Sequence, residues 1–245
     1  MSILPNKAPL PVDSEVLNLY QKQFRIEQSG RSMIEMLGVL AIIGVLSVGG
    51  IAGYSKAMMQ YKINKTADQI TQIAGNVHTL FAHQKNYSAL GSGATNMNLV
   101  KKAKLFPDET LTDTCNHNSG SPINGASNPF DGCIELYAWY LNGPDSELGK
   151  TFVISMHEIP EEVCISLLSY DWASATGGQL VAIGTDVDVE AATANCTGGR
   201  QSSGSYIACA GASQWGIPLS VDKAVTACAD DCGTSGQCGL SFMFK

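Results

Sequence analysis

The stretch Ser29–Tyr54, "SGRSMIEMLGVLAIIGVLSVGGIAGY", holds a contradiction that organises the rest of the chain. Met36 to Gly53 contains no ionisable residue, and as a helix rising 1.5 Å per residue it is about 27 Å long, close to the thickness of bilayer hydrocarbon. Glu35 stands at its entrance. A carboxylate at membrane depth costs about 2.5 kcal/mol or more and is by default a functional group in need of a partner. The alternative is an acidic residue near the N-terminal end of an ordinary anchor helix, favoured by the helix dipole and reaching into the headgroups.

Outward from this run the chain is asymmetric. Met1 to Gly30 is polar and carries Pro5, Pro9, Pro11, Asp13, Glu15 and Glu27, unlike a secretory signal, whose apolar core precedes a small-residue cleavage site. A plain signal anchor is the competing reading. Ser55 to Lys104 is basic, with Lys56, Lys62, Lys65, Lys85, Lys101, Lys102 and Lys104 against Asp68 alone, whereas the remainder is strongly acidic. A nucleic-acid surface needs basic residues on the folded domain, so the acidic head argues against that partner. Basic residues on the two sides of the run, Lys22, Arg25 and Arg31 against Lys56, Lys62 and Lys65, balance and leave its orientation undecided. The cysteines decide it: all eight lie between Cys115 and Cys238, the signature of a disulfide framework outside the cytosol. Zinc knuckles are absent, since neither Cys228/Cys232 nor Cys232/Cys238 has the two-residue spacing and no histidine lies close by in sequence.

After Tyr54 apolar residues recur at three- and four-residue steps through Ile70, Ile73, Ala74, Val77, Leu80 and Phe81, predicting an amphipathic continuation of one long helix. Gly49, Gly50 and Gly53 weaken it, each by about 0.5–1 kcal/mol relative to alanine. Lys85 to Asp131 reads as a connecting loop with a short helix near Met97–Leu105. Strands are expected at Cys133–Tyr140, Thr151–Met156, Gln179–Ile183 and Leu240–Phe244, the last closing the sheet, and a short helix at "IPEEVCISLLSY". Catalytic signatures are missing: there is no Gly-x-Ser-x-Gly, no His-Glu-x-x-His and no phosphate loop. His78 and His83 do not share a helix face, His117 and His157 are isolated in sequence, and "CADDC" lacks the dithiol spacing. Asp186, Asp188 and Glu190 alternate as an exposed strand face would, or as weak calcium ligands would. No cofactor, metal or enzymatic role is expected.

Gly30, the polar step Arg31-Ser32, Glu35 at the fifth position after the glycine and the apolar run resemble the prepilin peptidase site of type IV pilins. The long leader and the ordered phrases "NYSAL", "LFP", "NPFDGCIEL", "IPEEVCISLLS" and "LSFMF" resemble that family's second class, class b, of toxin-coregulated, bundle-forming and conjugative thin-pilus subunits. The resemblance implies cleavage between Gly30 and Arg31 and N-methylation of Arg31. It implies a leader over 1–30, an N-terminal helix over 31–84 with a membrane and polymerisation half at 33–54 and an amphipathic half at 55–84, and a disulfide-containing head over 85–245. The fold it implies is α+β, the long helix packed on an antiparallel sheet.

The same resemblance gives Glu35 its partner, the new α-amino group of a neighbouring subunit, so that assembly register follows from charge. Arg31 departs from the apolar residue with which pilins usually begin, and it also offers Glu35 a partner within one chain. Gly49, Gly50 and Gly53 stand near the depth where pilins often carry a proline and allow similar local melting. A disulfide from Cys164 to Cys228 belongs to the family pattern. The other six cysteines go beyond it, with Cys115/Cys133, Cys196/Cys209 and Cys232/Cys238 as the expected local closures among 105 connectivities. The implied protein is a non-enzymatic filament subunit: a homo-oligomer in a helical pilus, first anchored in inner-membrane lipid, processed by prepilin peptidase and extracted by the pilus assembly machinery to the cell surface. A major pilin is expected. A minor or tip pilin, a type II secretion pseudopilin, or a single-pass anchored extracellular binding or enzymatic domain are the alternatives, and adhesion, conjugation, motility and DNA uptake are not separated by these residues.

Overall fold

Hydroxyl residues inside a helix compete with its backbone unless they fold back on it, and in the long helix Ser55, Thr66, Thr71 and Thr79 do so. In the computed structural model, which describes residues 15, 31–92, 95–117, 123–139, 149–185, 198–201 and 205–245, helix α1 runs Arg31–Phe81. Ser55 donates to the Ile51 carbonyl at 3.0 Å, Thr66 to Lys62 at 2.9 Å and Thr79 to Gly75 at 2.8 Å. The helix stops at Phe81, short of residue 84, and a backbone bond from Gln84 to the Phe81 carbonyl turns the chain.

The chain divides into two units, Met1–Met58 and Met59–Lys245. In the first, the large apolar side chains of α1 are exposed from Met33 to Tyr54. In the second, the spacing expected of an amphipathic helix is realised: Ile63, Ala67, Ile70, Ile73, Ala74, Val77 and Phe81 form one buried stripe.

Among the described residues, eight strands form one antiparallel sheet. They are β1 Leu111–Cys115, β2 Ile123–Ser127, β3 Cys133–Trp139, β4 Thr151–Pro160, β5 Leu180–Thr185, β6 Gly199–Arg200, β7 Tyr206–Cys209 and β8 Gln237–Phe244, in the spatial order β1-β2-β3-β4-β8-β5-β7-β6. The period of two splits each central strand between faces. Leu136, Phe152, Ile154, Leu240, Phe242 and Phe244 join the α1 stripe in the main core, and Tyr137, Val153, Ala182, Ile207 and Met243 form a second cluster on the other face. Short helices complete the head: α2 Met97–Ala103, α3 Glu161–Leu168, α4 Trp172–Thr176 and α5 Val221–Cys232. Local chemistry starts them, with Asn96 accepting from the Leu99 amide at 3.2 Å and Asp171 from Ser174 at 3.4 Å. Asn76 ties α1 to the end of α2 through the Leu105 carbonyl, 3.0 Å away.

The structure corrects the expected loop. Residues 85–131 contain β1 and β2, whose pairing is carried by backbone bonds along a largely exposed edge; with no apolar alternation, no period of two was there to read. Helix α5 was equally silent, because the face it buries consists of Ala224, Ala227, Cys228 and Cys232, with no large apolar residue among them. The last strand does not close the sheet at an edge: β8 lies inside, between β4 and β5. Beyond β2, the outer amides of β3 are taken by the Thr95 hydroxyl, which accepts from Leu136 at 2.8 Å, and by the Gly91 carbonyl, which accepts from Ala138 at 2.7 Å.

Disulfides join Cys115 to Cys133, Cys164 to Cys228 and Cys232 to Cys238. Cys209 is also disulfide-bonded; Cys196 lies outside the described residues.

Two outcomes follow from these contacts. The Cys164–Cys228 bridge closes a separation of 64 residues and Cys232–Cys238 one of 6, so on the chain-entropy relation the Cys164→Ser/Cys228→Ser pair should cost about 4 kcal/mol and Cys232→Ser/Cys238→Ser about 2; urea unfolding of the full chain in detergent measures both. His78, half-buried beside Phe152 with its Nδ1 3.2 Å from the Tyr87 hydroxyl, has its pKa lowered by desolvation. The unfolded chain therefore takes up this proton first. The stability it contributes is present above the unfolded value near 6.5 and is lost as pH falls through and below it. His78→Gln should lose less thermal stability than the native chain between pH 7.5 and pH 5, read as the difference between their melting curves (both pH values being about one unit or more from the unfolded pKa).

Candidate functional site

Two places on this scaffold hold side chains that the fold itself does not account for. The first is the exposed half of α1. Ile34 is 75% exposed and Leu46 68%, so among the described residues the apolar run is left uncovered. This is the described helix that is long and apolar enough to cross a membrane. Glu35 is exposed on it, and among the described residues no basic group is paired with it. A Cβ built on Gly38, Gly44, Gly49, Gly50 or Gly53 meets nothing within 4 Å, so the packing of a single chain gives no reason for these glycines. Gly30 lies outside the described residues, and Arg31 is the first residue of α1.

The second place was missed by sequence reading. His117 and His157, isolated along the chain, are brought together with Glu135 on the face of the sheet away from the Ile70 core. His157 Nε2 donates to Glu135 Oε2 at 3.1 Å, His117 Nε2 lies 3.8 Å from Oε1, and the two imidazole rings are 4.1 Å apart with an interplanar angle of 35°. Three strand segments place them. His117 follows Cys115 by two residues and Glu135 follows Cys133 by two, and the disulfide between those cysteines, with the Asn116–Gly132 bridge, sets both side chains side by side. The turn "NPFDG" then locks β4. Asn128 accepts from the Phe130 amide at 2.8 Å and donates to the His157 carbonyl at 2.8 Å. Gly132 is there because a Cβ at that position would overlap the same carbonyl. The equal offsets from Cys115 and Cys133 were the available signal, and reading it required the pairing and the neighbouring strand.

The electrostatics are those of a strongly coupled cluster. Burial presses the Glu135 carboxyl toward its neutral form, but the hydrogen bond from His157 and the fields of His157 and His117 outweigh it and hold the pKa below the ordinary carboxylate value. His157 is fully buried, and its Nδ1 has no hydrogen-bond partner among the described residues, an omission that costs about 1–3 kcal/mol. Behind the cluster a polar line continues across the sheet, with Ser155 Oγ 3.2 Å from the Tyr137 hydroxyl and 2.8 Å from Ser241 Oγ.

The remaining expected site residues have plainer surroundings. The grouping Cys164, Cys232 and Cys238 consists of disulfide sulfurs, which are not available as thiolate ligands. Asp186, Asp188 and Glu190 lie outside the described residues. On the amphipathic part of α1, Lys65 pairs with Glu109 at 3.3 Å and Lys62 lies 5.0 Å from the centre of the Phe130 ring, so basic helix meets acidic head within one chain. An open groove lined by Tyr61, Asn64, Asp68 and Gln72 runs beside that pair.

The family model described as PilS N terminal matches residues 60–209. No curated protein sequence matches the chain. Among solved structures, the type IV b pilin from Salmonella typhi aligns at 14% identity and a TM-score of 0.43 over 73% of this chain and 97% of that one. TcpA, a type IV pilin from Vibrio cholerae El Tor biotype, aligns at 16% identity and a TM-score of 0.45 over 76% and 99%. The family match takes in the amphipathic end of α1 and the head from β1 to β7, more than half of the sequence, and so the chain belongs to the PilS N-terminal family of type IV pilins.

Proposed function

We propose that this protein is the major structural subunit of a class b type IV pilus. The observation that carries this reading is the apolar half of α1, exposed along its length and bearing Glu35, in a chain whose head belongs to a pilin family. In the precursor, bilayer lipid covers the run and the disulfide-bearing head faces outward. Processing after Gly30 by a prepilin peptidase frees the α-amino group of Arg31, which is then N-methylated. In the filament the helices of neighbouring copies replace the lipid, and close packing of identical stripes supplies the cohesion.

Glu35 sets the register in this mechanism. Within a bundle of apolar helices an unpaired carboxylate is costly, while a carboxylate opposite the methylated amine of the next subunit is tolerated. A copy docked one turn out of place separates the two charges and leaves both unpaired. Gly49, Gly50 and Gly53 lower the cost of local unwinding, which lets the helix stretch where head spacing and helix spacing differ. Assembly from the inner membrane to the cell surface requires no reaction by the head.

Mass spectrometry of protein from cells with an active prepilin peptidase should give a chain beginning at methylated Arg31; a mature chain that retains Met1 refutes the proposal. Glu35→Ala should leave processing intact and accumulate membrane-bound subunit while sheared filaments disappear, because breaking a buried charge pair costs about 3–5 kcal/mol per subunit. Normal filament yield from that variant would remove the register mechanism. Abundance of the chain in filaments of the native strain separates a major subunit from a minor one.

A further inference from the structure

We propose that the head carries a binding site for a zinc-class divalent transition metal, formed by His117, Glu135 and His157 on the sheet face away from the α1 core. The donors already stand at ligand spacing. An ion held at about 2.0–2.1 Å from each donor in tetrahedral geometry places donors about 3.4 Å apart. His157 Nε2 is 3.1 Å from Glu135 Oε2 and His117 Nε2 is 3.8 Å from Oε1, one carboxylate oxygen toward each imidazole, so a small closing movement brings one oxygen and both nitrogens to that spacing. All three donor atoms fall within 4.8 Å of one another.

The scaffold is pre-arranged without the ion. The Cys115–Cys133 disulfide and the backbone bonds from Asn116 to Asp131 at 3.0 Å and from Cys133 to Asn116 at 2.8 Å fix the end of β1 against β3. Strand register sets Glu135 opposite Ser155, two residues before His157. Because the disulfide and these bonds already hold the strands together, the imidazoles are not needed for that purpose. An ion held by His157 Nε2 would take the place of the proton now shared with Glu135 Oε2; the other ring nitrogen takes no part in the site. Two imidazoles and one carboxylate match zinc, copper or nickel; calcium and magnesium prefer all-oxygen shells. Three protein ligands leave a further coordination position. With the His117 and Glu135 side chains 26% and 17% exposed, that position is one that water or a ligand atom from outside can fill.

The test uses the full chain in detergent, stripped with a chelator and titrated with Zn²⁺ by calorimetry and with Co²⁺ by visible absorption. One equivalent should bind with micromolar or tighter affinity, raise the melting temperature, and give the intense cobalt bands of four- or five-coordination. Ca²⁺ should not compete. His117→Ala and Glu135→Gln, each with unchanged circular dichroism in the absence of metal, should weaken binding by about tenfold or more, while His83→Ala should bind normally. The absence of saturable one-to-one binding overturns the proposal, as does equal affinity in His117→Ala and Glu135→Gln, or competition by Ca²⁺ at comparable concentration. If either variant fails to fold, histidine resonances of the native chain decide the question: selective perturbation of His117 and His157 by Zn²⁺ supports the site, and perturbation of His78 or His83 instead refutes it.

Discussion

Apolar surface left uncovered among the described residues is the constraint on which the rest depends. Every large apolar side chain from Met33 to Tyr54 is exposed. At about 1.5–3 kcal/mol for each such residue buried, the set is worth tens of kcal/mol, against about 5–15 kcal/mol for the net stability of a whole domain. No arrangement of the head compensates for leaving that surface in water, so the helix requires lipid or other helices. The proposed life of the protein, first in a membrane and then in a filament, is a sequence of two covers for one surface, and Glu35 is the residue that distinguishes them.

The head meets a different demand. It is rich in connections, and its central strand, β8, is the last to be made. Cys164–Cys228 ties α3 to α5, and Cys232–Cys238 ties α5 to β8. The final strand is thereby linked to α5 and through it to α3, whose Leu167 carbonyl in turn accepts from the indole N–H of the fully buried Trp172 at 2.8 Å. At the other end Cys115–Cys133 fixes an edge where β1 and β2 have little apolar surface to hold them. The bridges are concentrated where side-chain burial contributes least or where chain order delays pairing.

The sheet treats its two faces unequally. One is filled by α1 and the aromatic residues Phe152, Phe242 and Phe244. The other combines a small apolar cluster with the polar line through Tyr137, Ser155 and Ser241 and the His117–Glu135–His157 trio. Polar groups in a sheet interior persist when they satisfy one another, and the serines do so. The trio leaves one nitrogen unmatched, which is why this part of the face stands out chemically.

Much of this architecture was legible in the residues, because its causes are local. The unbroken apolar run, the three- and four-residue spacing from Ile70 to Phe81, and the confinement of cysteine to the head are each properties of a continuous stretch, and they determined the long helix, its two-part character and an α+β head. β1, β2 and α5 were not legible. An exposed edge strand carries no alternation, and a helix that buries alanine and cysteine shows no stripe of large apolar residues. Only the tertiary structure decided that the last strand lies inside the sheet and that His117, Glu135 and His157 meet. Strand order and the convergence of distant side chains depend on which backbone edges pair across the whole fold, and no local periodicity encodes that choice.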